Sequence, residues 1–178
     1  MPLIQTVAPA QAQGQIAEVY RQCEEILGRV PNAFQMYSSS PVLLETQWQQ
    51  VAYFMRPPSL SFPLLALTRM LVSGDNRCDY CIDFNAAMLI EHAGFTPEQI
   101  AATKRDPASA PLDAKDKAML LFVLKATRTP HAVGAADIAG LKALGWAESD
   151  ILDATVHAAR NMAADVVFNT FKIEPDAV

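Results

Sequence analysis

The chain has 178 residues, of which 51% are hydrophobic and 19% charged, and its formal net charge is −5. This length and composition suffice for one globular domain with a substantial core and do not suggest several. The sequence has no cluster of Lys and Arg residues that could bind phosphates, so no nucleic-acid partner is expected. The start of the chain has no basic flank and no long apolar run, so neither a signal peptide nor a membrane span is predicted, and the expected location is the cytoplasm.

The first helix is predicted after an N-terminal arm. Residues 1–14 show no helical stripe, which leaves 15–178 as the expected single helical domain. From 15 to 28, apolar residues recur at three- and four-residue spacing, as on the buried face of a helix. Cys23 lies on that face and is expected to pack in the core as a small hydrophobic residue.

The middle of the chain contains the cysteine pair. A short helix is predicted around 34–37, and the next runs from 41 to 55 and stops before Arg56-Pro57-Pro58, because proline cannot continue it. The helix predicted over 61–73 is apolar nearly all round, which indicates burial on several sides. Cys78 and Cys81 then open an amphipathic helix for which Asn76 is the predicted N-cap.

The second half of the chain continues the helical pattern. Gly94 is the predicted C-cap of the cysteine helix, and Thr96-Pro97-Glu98-Gln99 has the form of a capping box. Further helices are predicted from there to about 104, from 113 to 128, from 133 to 144, and from 149 or 150 to 171. Strand-like alternation is absent, so the sequence predicts an all-α bundle of about eight helices.

The last helix has a polar stripe that repeats every four residues, formed by Asp153, His157, Asn161 and Asp165. Such a stripe most often marks a solvated face or an oligomer contact. The alternative that it lines a site is less favoured, and a surface or interface position is expected for His157.

Cys78 and Cys81 are the strongest chemical signal in the chain. Their spacing at a helix start allows the sulfurs to bond, and the unpaired N–H groups there favour a thiolate. A structural zinc site would need four donors, and His92, His131 and His157 are isolated. No metal or cofactor is therefore expected, and redox chemistry is favoured over an inert role.

A thiol that reduces a peroxide needs a nearby acid or base, because the leaving oxygen must take up a proton. Asn85 and Met88 face Cys81 on its own helix, and neither transfers protons near neutral pH. Asp79 and Asp83 are close in sequence but would oppose thiolate formation, and solvated positions are expected for them. Any general base must come from another helix.

Three segments, PNAFQMYSSSPVLLE, SGDNRCDYCIDFNAAMLIEHAGFTPEQI and VVFNTFKIEPD, resemble the alkyl hydroperoxidase D-like branch of the carboxymuconolactone decarboxylase superfamily. The resemblance implies that Cys81 attacks and Cys78 resolves, whereas helix-terminal electrostatics favours Cys78 as the thiolate. It also implies a proton relay of a glutamate and a histidine, at positions where this chain has Ala66 and Asn85. His157 is the titratable candidate to replace that relay, and Asn85 can support it only by hydrogen bonding.

The expected function is a thiol-dependent oxidoreductase or weak alkyl hydroperoxide reductase that cycles Cys78 and Cys81 between dithiol and disulfide. A small hydroperoxide or disulfide would be the substrate and a dithiol the electron donor. The apolar helix over 61–73 and the long last helix predict a homo-oligomer, as the resemblance also implies. One alternative is a non-catalytic redox sensor or structural protein with a degenerate site. Another is a lyase like the carboxymuconolactone decarboxylases.

Overall fold

The structure, a computed structural model, describes residues 2–55 and 59–176. Within them the chain forms α-helices joined by turns and short 3₁₀ helices, without strands, which confirms the predicted all-α fold. The α-helices are α1 (Gly14–Leu27), α2 (Asn32–Gln35), α3 (Pro41–Phe54), α4 (Phe62–Asn76), α5 (Asp79–Ala93), α6 (Pro97–Arg105), α7 (Ala114–Arg128), α8 (Ala135–Ala143) and α9 (Glu148–Phe171).

The chain divides into two compact units, Met1–Arg56 with Val167–Val178 and Pro57–Val166. The expected arm at 1–14 and single domain at 15–178 stay predictions. None of the helices in the described ranges combines the length and apolar character that crossing a bilayer requires.

The first unit is built on a core between α1, α2 and α3. The rings of Phe34 and Trp48 meet edge to face with centroids 5.3 Å apart. Cys23 is fully buried in this core, and burial raises its pKa to about 12, so its thiol stays protonated at neutral pH. The predicted packing role of Cys23 is confirmed. Ahead of α1, the Val7 N–H donates to Ser38 Oγ at 2.7 Å, which fixes part of the N-terminal segment to this unit.

The second unit is organised around α4. Ser61 caps this helix by accepting a hydrogen bond from the Leu64 N–H at 3.2 Å, and proline occupies its first turn. Apolar residues on several sides of α4 are buried, as its sequence predicts: Leu64, Leu65, Ala66, Leu67, Met70, Leu71 and Val72. The helix continues three residues beyond the predicted end, to Asn76.

The turn between α4 and α5 places the cysteines. Arg77 adopts the left-handed conformation (φ 55°, ψ 45°), which ends α4, and Cys78 follows as the N-cap of α5. The Cys78 N–H donates to the Ser73 carbonyl at 3.0 Å. The prediction of Asn76 as N-cap is wrong, because α4 absorbs Asn76 and the chain reverses only at Arg77.

Most other predicted helix ends agree with the structure. Gly94 ends α5 with φ 69°, and Thr96 forms the predicted capping box at the start of α6. The α8 helix is shorter than predicted. The expected stop at Arg56-Pro57-Pro58 lies outside the described residues.

Candidate functional site

The thiols of Cys78 and Cys81 lie together at the start of α5. Their sulfurs and one carboxylate oxygen of Asp165 are all within 4.8 Å of one another. Both cysteines are in the free thiol form, and their residues are 0% and 6% exposed. The expectation that this spacing brings the two sulfurs together is confirmed. The more exposed member of the pair is Cys81.

The two thiols have different proton affinities. The hydrogen bond from the Cys81 side chain lowers the pKa of Cys78, and the Cys81 backbone N–H adds a smaller effect in the same direction. The same pairing, followed by burial, raises the pKa of Cys81. The negative charge of Asp165 raises the pKa of both thiols. The first thiolate therefore forms on Cys78, and Cys81 keeps its proton.

Asp165 reaches the thiols from α9 and is fully buried. Its Oδ1 accepts from the Ser73 hydroxyl at 2.8 Å, and its Oδ2 accepts from the amides of Asn76 at 2.9 Å and Asn161 at 3.2 Å. Buried carboxylates need such partners, so this network explains how the charge is held next to two thiols.

The same carboxylate gives the cysteines a third metal-ligating neighbour. Cys78, Cys81 and Asp165 are close enough together to hold a metal ion. Asp165 was not among the metal ligands expected from the sequence, which were cysteines and histidines only. Both Asp165 oxygens already accept hydrogen bonds, so a metal would have to compete with them. The expectation of no metal stays a prediction.

The polar stripe of α9 faces inward. His157, Asn161 and Asp165 are 7%, 8% and 0% exposed, so a solvated face was the wrong interpretation for these three residues. The reason is that α4 has polar groups at the positions opposite these residues. The Asn161 amide donates to Ser73 Oγ at 2.7 Å, and His157 Nε2 lies 3.3 Å from the Leu65 carbonyl oxygen.

Arg69 connects the two supporting residues predicted from the sequence. Its Nε donates to Asn85 Oδ1 at 2.6 Å, and its Nη1 lies 3.2 Å from His157 Nε2. The Asn85 amide in turn donates to the Cys81 carbonyl at 2.7 Å. Sequence reasoning missed Arg69, although a signal was available. It is the sole charged residue in the mostly apolar run 62–73.

His157 is held neutral by its surroundings. Burial, and then the positive charge of Arg69, lower the pKa of His157 to about 3. A guanidinium can only donate hydrogen bonds, so His157 Nε2 accepts from Arg69 when its proton is on Nδ1. His157 is thus a hydrogen-bond partner at neutral pH and does not store a proton.

The remaining candidates do not supply a relay. Ala66 is fully buried and carries no titratable group. Asp79 and Asp83 are exposed, as expected, and so are His92 and His131. The structure thus brings together Cys78, Cys81, Asn85 and His157 with Asp165 and Arg69, two charged groups that the sequence analysis did not assign to the site.

Comparison with known proteins finds no protein family whose profile matches the chain. An alkyl hydroperoxide reductase of Mycobacterium tuberculosis is 29% identical over 86 residues, which are 48% of this chain and 25% of that protein. The chain therefore matches about a quarter of the length of this curated relative.

Solved structures resemble the chain over nearly its whole length. A peroxidase-related protein from Ralstonia eutropha with an alkylhydroperoxidase AhpD core has a TM-score of 0.85 and 21% identity, covering 98% of this chain and 92% of its own. The debrominase Bmp8 has a TM-score of 0.79 and 16% identity, covering 98% and 92%. At these identities the likeness shows a shared fold, and the fold alone does not set the activity.

Proposed function

Because the chain has the AhpD-like fold that its sequence resemblance implied, with two adjacent buried thiols in it, we propose that it is a thiol-dependent oxidoreductase that reduces an alkyl hydroperoxide. One observation carries the proposal. The sulfurs of Cys78 and Cys81 lie within 4.8 Å of each other at a helix start, and this pairing lowers the pKa of Cys78 and raises that of Cys81. Such a pair has a nucleophile and a proton donor in contact.

The reaction can be balanced with these two side chains. A thiolate attacks the terminal oxygen of the hydroperoxide, the O–O bond breaks, and a sulfenic acid and an alkoxide form. The alkoxide takes the proton of the neighbouring thiol and leaves as an alcohol. The second sulfur then attacks the sulfenic sulfur and releases hydroxide, which takes a proton from solvent. The peroxide has then oxidised the two thiols by two electrons, and the Cys78–Cys81 disulfide remains until a dithiol donor reduces it.

This sequence of steps compensates for the missing glutamate and histidine. Ala66 and Asn85 cannot move protons, and His157 stays neutral near neutral pH. The thiol that holds its proton supplies the first proton itself, so no separate acid is required for the first step. The expected activity is weak, since nothing among these residues returns that proton quickly between cycles.

The alternatives predict different chemistry. A redox sensor would form the same disulfide without turnover, and the lack of a relay at Ala66 and Asn85 favours this reading. A decarboxylase-like lyase needs acid–base groups open to its substrate. Asp165 is fully buried and hydrogen-bonded through both oxygens, so it does not support that alternative.

Stopped-flow oxidation of the reduced protein by an alkyl hydroperoxide tests the proposal. We expect the thiols to react faster than free cysteine at the same pH, and Cys78→Ser and Cys81→Ser each to abolish disulfide formation. Cys23→Ser is the matched control, because it changes a buried cysteine outside the pair and should leave the rate unchanged. Oxidation no faster than that of free cysteine contradicts the enzyme. Disulfide formation without turnover in the presence of a dithiol donor indicates the sensor.

The partners belong to the same proposal. They are a small hydroperoxide or disulfide as substrate, a dithiol as electron donor and a second copy of the chain in a homo-oligomer. A cytoplasmic location would keep the dithiol reduced between cycles.

A further inference from the structure

Arg69 carries a positive charge beside the dithiol without a carboxylate partner. Arg21, Arg29 and Arg128 lie within 4.0 Å of a carboxylate oxygen. Arg77 and Arg105 have no such partner among the described residues, but both are exposed to water. For Arg69 the described residues provide no such ion pair. Its side-chain contacts are the neutral groups of Asn85 and His157.

The isolation of this charge is costly for the protein. A guanidinium that is largely removed from water and lacks a counter-charge destabilises the folded state. Burial lowers the pKa of Arg69 to about 10, yet the group is still protonated at neutral pH. The charge interaction that opposes this shift comes from Cys81. Arg69 therefore lies close enough to the dithiol for its charge to interact with Cys81.

The guanidinium is fixed with one edge available. Nε is bound to Asn85 and Nη1 to His157, which orients the planar group. No partner of Nη2 exists among residues 2–55 and 59–176. Every fully buried side-chain nitrogen of these residues has a hydrogen-bond partner. Because Nη2 has none, it must be in contact with solvent. Its two N–H donors are free to bind a ligand oxygen.

Asn85 links Arg69 to the backbone of Cys81. The amide of Asn85 binds Arg69 with its oxygen and the Cys81 carbonyl with its nitrogen, at 2.6 and 2.7 Å. A ligand anion on Nη2 would thus be held by a group that is linked through one side chain to the backbone of Cys81.

We propose that Arg69 is the anion-binding group of the dithiol site and selects substrates that carry a carboxylate close to the bond that the thiols break. This inference rests on the proposed function for its substrate, and it names the class of that substrate as a carboxylate-bearing hydroperoxide. A guanidinium suits this role because its N–H donors match the two oxygens of a carboxylate.

Alkylation with two nearly isosteric reagents tests the charge directly. Iodoacetate is an anion and iodoacetamide is neutral, and in both cases a thiolate forms a bond to the CH₂ carbon while iodide leaves. The measured quantity is the rate constant for iodoacetate divided by that for iodoacetamide, in a Cys23→Ser background. Mass spectrometry identifies the alkylated cysteine. We expect the ratio to exceed that of free cysteine by about tenfold, the size of one charge-assisted hydrogen bond.

Variants separate charge from structure. Arg69→Gln should reduce the ratio to that of free cysteine, and Arg69→Lys should retain part of it because the charge remains without the planar fork. Arg128→Gln is the matched control, since it removes an exposed arginine paired with Asp75 and should keep the full ratio. A purely structural Arg69 would change the rates of both reagents by the same factor, and an unchanged ratio in Arg69→Gln overturns the proposal.

The test is independent of peroxide chemistry. Alkylation needs only a thiolate, so a failed hydroperoxide reaction would contradict the proposed function and leave this measurement intact. Should Arg69→Gln not fold, the reduced protein decides the matter by itself. Acetate should slow its alkylation by iodoacetamide more than chloride at equal ionic strength, and equal effects of the two salts would overturn the inference.

Discussion

At the scale of single residues, the two cysteines differ in their exposure and in their pKa. Cys81 is the more exposed residue, and Cys78 is the one whose pKa is lowered. Attack by Cys81, as the family resemblance implies, requires its proton to pass to Cys78 through their hydrogen bond. Attack by Cys78, as helix electrostatics implies, requires a substrate to reach a fully buried atom. The pKa difference between the thiols is therefore the property to measure.

Removing one cysteine of the pair should shift the pKa of the other, upward for Cys78 and downward for Cys81. In Cys81→Ala, the pKa of Cys78 should rise, because its largest stabilising hydrogen bond is lost. In Cys78→Ala, the pKa of Cys81 should fall, because the partner that holds its proton in place is gone. Ultraviolet thiolate absorbance against pH, in a Cys23→Ser background, measures both. Shifts in the same direction would contradict the hydrogen-bonded pair.

At the scale of elements, the site depends on two helices that pair through polar faces. Ser73 and Arg69 of α4 meet Asp165, Asn161 and His157 of α9 through hydrogen bonds in the interior. These contacts hold the Asp165 carboxylate against the thiols of α5. Their cost is a buried histidine that cannot easily take up a proton.

His157 should make the protein sensitive to acid. The pKa of His157 is about 3 in the folded chain, against the ordinary value of 6.5. Between these values the unfolded chain binds a proton that the folded chain does not, so stability falls as pH decreases from 6.5 towards 3. From pH 7 to pH 5 the free energy of unfolding should drop by about 2 kcal/mol from this group.

Denaturant unfolding at several pH values measures this effect. In His157→Gln the fall in stability over that range should be smaller by the same amount. His131→Gln, which changes an exposed histidine, is the matched control and should unfold with the pH dependence of the unchanged chain. An identical pH dependence for His157→Gln and the unchanged chain would show that His157 is not buried in the neutral form.

At the scale of the whole molecule, local signals in the sequence predicted the helices. The capping box at Thr96 and the C-cap at Gly94 depend on neighbouring residues only, so they could be found without the fold. The same is true of the Cys-x-x-Cys pair, whose sulfurs come together within one turn. The segments that resemble the AhpD-like branch supplied the arrangement of the helices.

The residues around the pair could not be placed in the same way. A polar stripe such as that of α9 looks alike whether it meets water or polar groups on another helix, and only tertiary packing distinguishes the two. Asn76 has the residue type of an N-cap, but packing extends α4 through it. Arg69 was identifiable as a lone charge in an apolar helix, yet nothing local indicated that it would bridge Asn85 and His157.

The homo-oligomer stays a prediction, and its basis has changed. The apolar character of α4 suggested a subunit contact, but its apolar residues are used inside the chain. The remaining support on α9 is the exposure of Leu152 and Val156, which are 64% and 40% accessible.

The central claim is that Cys78 and Cys81 form one two-electron redox pair. Peptide mapping by mass spectrometry, after one equivalent of an alkyl hydroperoxide is added to the reduced protein, tests it most directly. We expect a Cys78–Cys81 disulfide in nearly every molecule, with Cys23 still a free thiol. Oxidation of Cys23, or sulfenic and sulfinic acids at the pair without a disulfide between them, would contradict it.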